Sequence, residues 1–520
     1  MEKKKTSFGT SIGFELAAAG SAVGLGNLWG FPYKTSANGG AAYLIVYLAC
    51  ILLVGAAAML AEFVLGRRAR ANPVSACKQA SESFGWFGLA AVVIPALIMC
   101  YYFVLGGYTV KYALNSFAGN AGNFPVFAGN AGDVILHTVL FALLALAVVA
   151  AGVRGGIEKT AKILMPTMLF ILVIISSFSL LLGEGVSEGL AFYLRPDFSA
   201  MSWSGALSAM GQAFFSLSLG CGAMICYGSY SGKKVNLFRS TAVICILDSL
   251  LTFMVGLAIF PALFHYAAVS GVSPAALGMG GMGLMFITLP MVFADMPLVG
   301  SSLSLLFFTM AAIAALTSVI SILEAVTQFV IQKFKIFRTK AALLVTAVCA
   351  ALSVPVGLSF GAAMNGESLI NLFGRNLLEL LDMITNTILM PVCAIFACLA
   401  VGWIIGPREA VRTIAPEGDG KAHRLLGLML KLVTPVLIVL IELFGIFDLI
   451  MPLENGVRRF SSGGCGIVVC AYGVLLLCAL VYFAFLKNTD TGNNSDELLV
   501  DALEAERVKA GPSRGWYRPE

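Results

Sequence analysis

The chain is expected to be an all-α polytopic membrane protein with twelve transmembrane helices, two of them interrupted near the middle. Three observations lead there. Of the 520 residues, 59% are hydrophobic and 12% charged, with a mean hydropathy of +0.91, whereas a soluble domain usually carries about 25% charged residues. Apolar stretches of roughly 20 residues, each long enough to cross a bilayer as a helix, recur along the chain. Lysine and arginine collect in alternate connections between them.

The spans are placed at about 11–37, 41–66, 87–117, 133–152, 161–182, 203–230, 238–266, 298–331, 341–361, 369–405, 425–451 and 464–486. The first is broken by Gly20-Ser21-Ala22-Val23-Gly24-Leu25-Gly26-Asn27, and the sixth by Ser216-Leu217-Ser218-Leu219-Gly220-Cys221-Gly222. A helix interrupted in mid-membrane leaves backbone N–H and C=O groups that only a cavity, an ion or a ligand can satisfy. Paired breaks in corresponding halves point to the binding site of a secondary transporter.

The basic side of the chain carries Lys3, Lys4 and Lys5, then Arg67, Arg68, Arg70 and Lys78, and later Arg154, Lys159, Lys162, Lys233, Lys234 and Arg239. It continues through Lys333, Lys335, Arg338 and Lys340 to Arg408, Arg412, Lys421 and Arg424, while the other side holds scattered charges such as Lys34 and Arg195. The positive-inside rule then puts both termini in the cytoplasm of a multi-pass protein of the cell's inner (plasma) membrane. The net charge of +5 follows from topology and gives no reason to expect nucleic acid as a partner. Residues 1–486 read as one transmembrane domain and 487–520 as a polar cytoplasmic tail.

No cleavable signal peptide is evident. The twelve cysteines fall mostly inside spans, where cysteine acts as a small apolar residue. His137, His265 and His423 are far apart, and no metal-ligand spacing, nucleophile elbow or phosphate loop is present. Gly24-x-Gly26 lacks the strand–turn–helix context of a dinucleotide fingerprint. The chain is not expected to be an enzyme.

The run Gly20-Ser-Ala-Val-Gly-Leu-Gly-Asn-Leu-Trp-Gly-Phe-Pro-Tyr33, followed by Asn38-Gly39-Gly40, resembles the first-helix signature of bacterial neurotransmitter:sodium symporters with the LeuT fold. Glu62-Phe-Val-Leu-Gly66, Tyr101-Tyr102, Gln212-Ala-Phe-Phe-Ser-Leu-Ser-Leu-Gly220 and Ala314-Ala-Leu-Thr-Ser318 extend the likeness over most of the chain. The resemblance implies two inverted five-helix repeats, about 8–183 and 203–405, with peripheral helices over 422–486. Broken helices 1 and 6 would move against a scaffold containing helices 3 and 8.

It also implies two sodium sites. One would use the Ala22 carbonyl, the Asn27 and Ser216 side chains and Asp248; the other the carbonyls of Gly20, Val23 and Ala314 with the hydroxyls of Thr317 and Ser318. Intramembrane hydroxyls also commonly bond back to their own helical turn. Asp248, among Cys245, Leu247, Leu250 and Leu251, is an intramembrane carboxylate and a functional candidate on that ground. Relatives that need chloride keep a neutral residue there, so the chain is expected not to require chloride. Glu62 resembles a structural position at the first break, where it would hold freed N–H groups.

An amino-acid carboxylate would be met near Leu25 and Gly26 and by Tyr102, and its ammonium by carbonyls around Ala22 and Phe215 and by Ser218. Monoamine carriers place an aspartate at position 24, where this chain has Gly24. Ile98, Tyr102, Phe215, Cys221, Ser318 and Ile322 would line the side-chain pocket, and Cys221 in place of a frequent phenylalanine widens its floor.

Three departures from the pattern bear on gating. Gly30 replaces an outer arginine although its acidic counterpart, Asp382, is present, and Arg375 is one candidate to approach it. Lys5 replaces an inner arginine, and the acid expected at the end of helix 8 falls on Gln332. Closure is therefore expected to rest on Tyr102 and Phe215 outside and on Phe8 and Tyr230 inside. Gly156 and Pro166 have the spacing that this family links to unwinding of helix 5.

These readings imply sodium-coupled symport of a neutral, bulky hydrophobic or aromatic amino acid. Two alternatives stay open: a non-transporting amino-acid sensor on the same fold, and a sodium symporter of another small solute such as an amine or a betaine.

Overall fold

The computed structural model describes residues 7–119, 123–232, 234–274, 281–296, 299–364, 369–415, 422–451, 453–454, 457–458 and 460–487. Lys5 and the tail beyond Lys487 lie outside them. Ten helices among the described residues are long and apolar enough to cross a membrane. They are α3 (Ala41–Ala69), α4 (Glu82–Phe117), α5 (Ala131–Ala150), α6 (Val153–Leu180) and α9 (Leu237–Ser270), followed by α10 (Gly300–Phe334), α11 (Arg338–Ala362), α12 (Leu377–Ile405), α13 (Arg424–Phe447) and α14 (Ser462–Leu486).

Two apolar segments are instead split into short helices. The first comprises α1 (Ser11–Ala22) and, after a gap and a widened turn over Gly26–Gly30, α2 (Phe31–Ala37). The second comprises α7 (Trp203–Ser216) and α8 (Ala223–Tyr230), separated by six residues outside helical geometry. The only strands among the described residues are two small hairpins, β1–β2 at Asn371–Leu372 and Arg375–Asn376 and β3–β4 at Leu453–Glu454 and Val457–Arg458.

Helix starts follow local chemistry. The side chains of Thr10, Asn130, Ser202, Asn236 and Ser461 each accept a backbone N–H three residues on and so cap α1, α5, α7, α9 and α14. Outward faces are apolar: Leu52, Leu143, Phe170, Leu344, Leu443 and Leu476 are all exposed, as a lipid-facing surface requires. The centre is made by α4 and α10, whose mutual contact is the most extensive of any described pair. Helix α1 packs on α9 and α10, α7 on α3, and α8 on α3, so both breaks face the α4–α10 centre.

Candidate functional site

The second break depends on two glycines that adopt backbone angles costly for other residues. Gly220 and Gly222 have φ of +77° and +70°. A Cβ would sit 1.9 Å from the Met390 carbonyl oxygen at the first and 2.5 Å from that of Ala91 at the second. The freed N–H of Gly220 donates to Glu62 Oε1 at 2.6 Å. Glu62 was expected at the first break. It serves the second instead, because α3 packs along α8 and carries this carboxyl to the far side of the centre.

Between the breaks lies a small cavity of about 20 Å³. Ala22, Gly24, Gly26 and Asn27 line it from the first break, and Phe215, Ser218 and Cys221 from the second. Ile98 and Tyr102 of α4 and Ser318 and Ile322 of α10 complete the expected wall. Ser21 and Met390 also line it and were not anticipated. Leu25 is not in the lining, although its N–H and that of Gly26 reach toward the Tyr102 hydroxyl.

Space at position 24 is tight. A Cβ on Gly24 would lie 2.7 Å from Ser318 Oγ and 2.8 Å from the Tyr102 hydroxyl. The second break is stitched to the first by Ser218, itself at φ +52°, whose hydroxyl donates to the Ser21 carbonyl at 2.7 Å. Ser318 donates to that same carbonyl at 3.2 Å.

Asn27, Ser216 and Asp248 come together as one buried cluster. Asn27 Nδ2 donates to Ser216 Oγ at 3.0 Å and to Asp248 Oδ1 at 2.9 Å, and Ser216 donates to Asp248 Oδ1 at 2.7 Å. Two further members were not expected from the sequence. The Tyr47 hydroxyl donates to Asp248 Oδ2 at 3.1 Å, and Thr252 Oγ1 accepts from Asn27 at 2.9 Å. Thr252 lies one turn beyond Asp248 on α9, a spacing that could have flagged it. Asn27 Oδ1 is buried without a hydrogen-bond partner. An unpaired amide oxygen beside a carboxylate and two hydroxyl oxygens is a donor set that suits a hard cation.

Of the other expected oxygen set, Gly20, Ala314, Thr317 and Ser318 lie where α1 meets α10. Thr317 Cβ would be 3.2 Å from a Cβ on Gly20, and Ser318 Oγ is 3.5 Å from the Gly20 carbonyl. Thr317 donates to the carbonyls of Ile313 and Ala314, each at 3.1 Å. Such back-bonding uses the hydroxyl proton and leaves the oxygen's lone pairs able to face a cation. Val23 ends α1, its N–H bonded to the Ala19 carbonyl at 2.8 Å.

At the start of α1, Phe8 donates its N–H to the Tyr230 carbonyl at 3.1 Å and packs edge-on to Tyr227. The Gln332 side chain, where the sequence departs from an acid, accepts the backbone N–H of Asn72 at 2.9 Å; Lys5 lies outside the described residues. At the same end Glu324 accepts from the Tyr230 hydroxyl at 2.7 Å and forms a buried ion pair with Arg338. Gly156 lies in a widened turn over Val153–Glu158, and the helix continues through Pro166. Glu158 in that turn accepts from the Gly9 N–H at 2.6 Å and the Thr10 hydroxyl at 2.9 Å.

On the outer side, Phe215 rests on the backbone of Gly26, where a Cβ would come within 2.0 Å of the ring. Tyr102 has its own ring contact with Tyr101, centroids 5.7 Å apart. Asp382 accepts from Asn386 Nδ2 at 2.6 Å. Arg375 is in β2.

The chain matches the sodium:neurotransmitter symporter family over residues 5–122 and 128–488. It is 31% identical over 464 residues to the sodium-dependent transporter YhdH of Bacillus subtilis, covering 86% of this chain and 99% of that one. It is 25% identical to the sodium- and chloride-dependent taurine transporter of Rattus norvegicus, covering 89% and 82% respectively. The crystal structure of MhsT in complex with L-phenylalanine superposes with a TM-score of 0.77 at 36% identity, covering 85% of this chain and all of that one.

Proposed function

The chain belongs to the sodium:neurotransmitter symporter family, and from that premise we propose that it couples sodium influx to uptake of a neutral, bulky hydrophobic or aromatic amino acid by alternating access. The observation that carries the reading is the cavity between the breaks, with Gly24 held against Tyr102 and Ser318. Absence of a side chain at 24 leaves room for a substrate carboxylate beside the Tyr102 hydroxyl and the N–H groups of Leu25 and Gly26. Carbonyls near Ala22 and Phe215, with Ser218, suit an ammonium group. Cys221 at the floor and Ile98 and Ile322 on the walls suit an apolar side chain. The likeness to a protein solved with L-phenylalanine supports the same substrate class.

In this reading the two split segments each cross the membrane once, which with the ten continuous helices makes twelve crossings and two inverted repeats. Both termini, and the tail after Lys487, are cytoplasmic, and the membrane is the cell's inner or plasma membrane. One sodium takes Ala22, Asn27, Ser216 and Asp248; the other takes Gly20, Val23, Ala314, Thr317 and Ser318. The membrane potential contributes about 2.3 kcal/mol per charge per 100 mV to the cycle. Asp248 supplies the negative charge that chloride provides elsewhere, so chloride is not needed.

The test is uptake into proteoliposomes of the full chain under an inward sodium gradient, screened over the natural amino acids, several amines and glycine betaine. Sodium-dependent accumulation of aromatic or branched amino acids is the expected result. Sodium-dependent binding without accumulation would mark a sensor. Accumulation restricted to an amine or betaine would replace the substrate class.

A further inference from the structure

Position 30 is a buried glycine, yet its backbone would take a Cβ without a clash. A Cβ there would meet nothing nearer than the Gln212 side chain, at 3.4 Å from Oε1 and 3.9 Å from Nε2. One helical turn further along α2, on the same face, stands Lys34. Its Nζ donates to Gln212 Oε1 at 2.7 Å. Gln212 is itself buried, and its Nε2 donates to the Gly26 carbonyl at 3.1 Å. The relay thus runs from a lysine above the cavity, through one amide, to a backbone group of the cavity wall. Asp382 stands on α12, which like α2 packs against α7, the helix that carries Gln212. The Asp382 carboxylate is aimed by Asn386, which also reaches the Tyr101 hydroxyl on α4 at 3.4 Å.

We propose that Lys34 is the cation of the outer closure in this chain, drawing α2 toward Asp382 and tying that closure through Gln212 to the Gly26 carbonyl at the substrate site. The proposal rests on the transport reading above and supplies the part that Gly30 leaves missing. A lysine one turn away can replace a side chain at 30 because its four-carbon stem spans the extra turn while the ammonium still lies over Gln212. Through the relay, the charge on one side of the opening also helps set the position of the backbone that faces the substrate. Lys34 is a positioning residue: it acts on the substrate through Gln212 and by barring escape.

A closure that only bars the exit slows both arrival and departure of substrate. Its loss therefore appears in rates more than in equilibrium affinity. The measurement is dissociation of tritiated L-phenylalanine from the purified full-length protein in sodium, alongside uptake into proteoliposomes. Sodium-dependent binding by the unsubstituted protein is the prior condition, and its failure would count against the transport reading, not against this one. Lys34→Met is expected to speed dissociation about tenfold and cut uptake at least tenfold, with affinity changing less than threefold. Asp382→Asn should do the same, and the two together should do no more than either alone. Gly30→Arg added to Lys34→Met should restore slow dissociation, since a side chain at 30 starts in contact with Gln212. If Lys34→Met folds poorly, the exchanged pair Lys34→Asp with Asp382→Lys is measured against each single exchange, and recovery in the pair supports the assignment. An unchanged dissociation rate in Lys34→Met, or additive effects of Lys34→Met and Asp382→Asn, would overturn it.

Discussion

Replacing Asp248 by asparagine removes one negative charge from a buried cluster in which three side chains donate to that carboxylate. Asn27 donates at 2.9 Å, Ser216 at 2.7 Å and Tyr47 at 3.1 Å. Hydrogen bonds to a charged acceptor contribute about 1.5–3 kcal/mol each, and asparagine offers only one acceptor oxygen in place of two. The larger loss concerns the cation. At about 4 Å and an effective dielectric near 20, a unit charge is worth roughly 4 kcal/mol to a sodium ion. That corresponds to about three decades of affinity. The variant therefore leaves sodium short of one negative charge, amid hydroxyl and amide donors with no anion to receive them. Chloride is the small anion able to fill that role.

The assay is sodium-driven amino-acid uptake, measured against sodium concentration in chloride and in gluconate. The unsubstituted protein should be indifferent to the anion. Asp248→Asn should need far more sodium in gluconate and recover part of its uptake in chloride. Unchanged sodium affinity in the variant, or strong and equal chloride dependence in both proteins, would refute the reasoning and place the Asp248 charge outside the ion's reach.

Alanine at both Thr317 and Ser318 should raise the sodium concentration needed for half-maximal uptake at least tenfold, because two hydroxyl oxygens leave the second ion set; sodium titration of uptake checks it. Gly24→Asp should abolish amino-acid binding, since its Cβ alone would sit 2.7 Å from Ser318 Oγ and its carboxylate would oppose the substrate's own; equilibrium binding in sodium reads the loss. Glu324→Gln should weaken the inner closure by about 3–5 kcal/mol, because Arg338 is left as a buried charge without its partner. Faster hydrogen–deuterium exchange over residues 8–14 and 223–230, with a lower melting temperature, is the expected signature.

The two breaks are legible in the residues themselves, whereas the cavity wall was expected from the resemblance that the motifs carry. Glycines clustered in an apolar run, and an amide and hydroxyls beside them, announce a break with oxygen ligands. These are local facts, readable at Gly24, Asn27 and Ser216 and at Gly220 and Gly222. The buried acids divide differently. Asp248 stands out because a carboxylate within an apolar span is itself conspicuous, yet its donor Tyr47 is an ordinary aromatic in sequence and stands 201 positions away.

Hydropathy, charge asymmetry and the position of the breaks thus belong to the sequence, because each depends on neighbours along the chain and on water against lipid. Pairing across the bundle belongs to the tertiary structure. Glu62 meets Gly220 across 158 positions, Lys34 meets Gln212 across 178, and Glu324 finds both Tyr230 and Arg338. Which helix faces receive these charges is set by how the spans rotate and pack, and a helix that is apolar all round leaves that rotation unwritten in its own residues. Inside a membrane a buried charge is costly unless it finds a partner, and so the packing that brings these groups together also decides what each of them does.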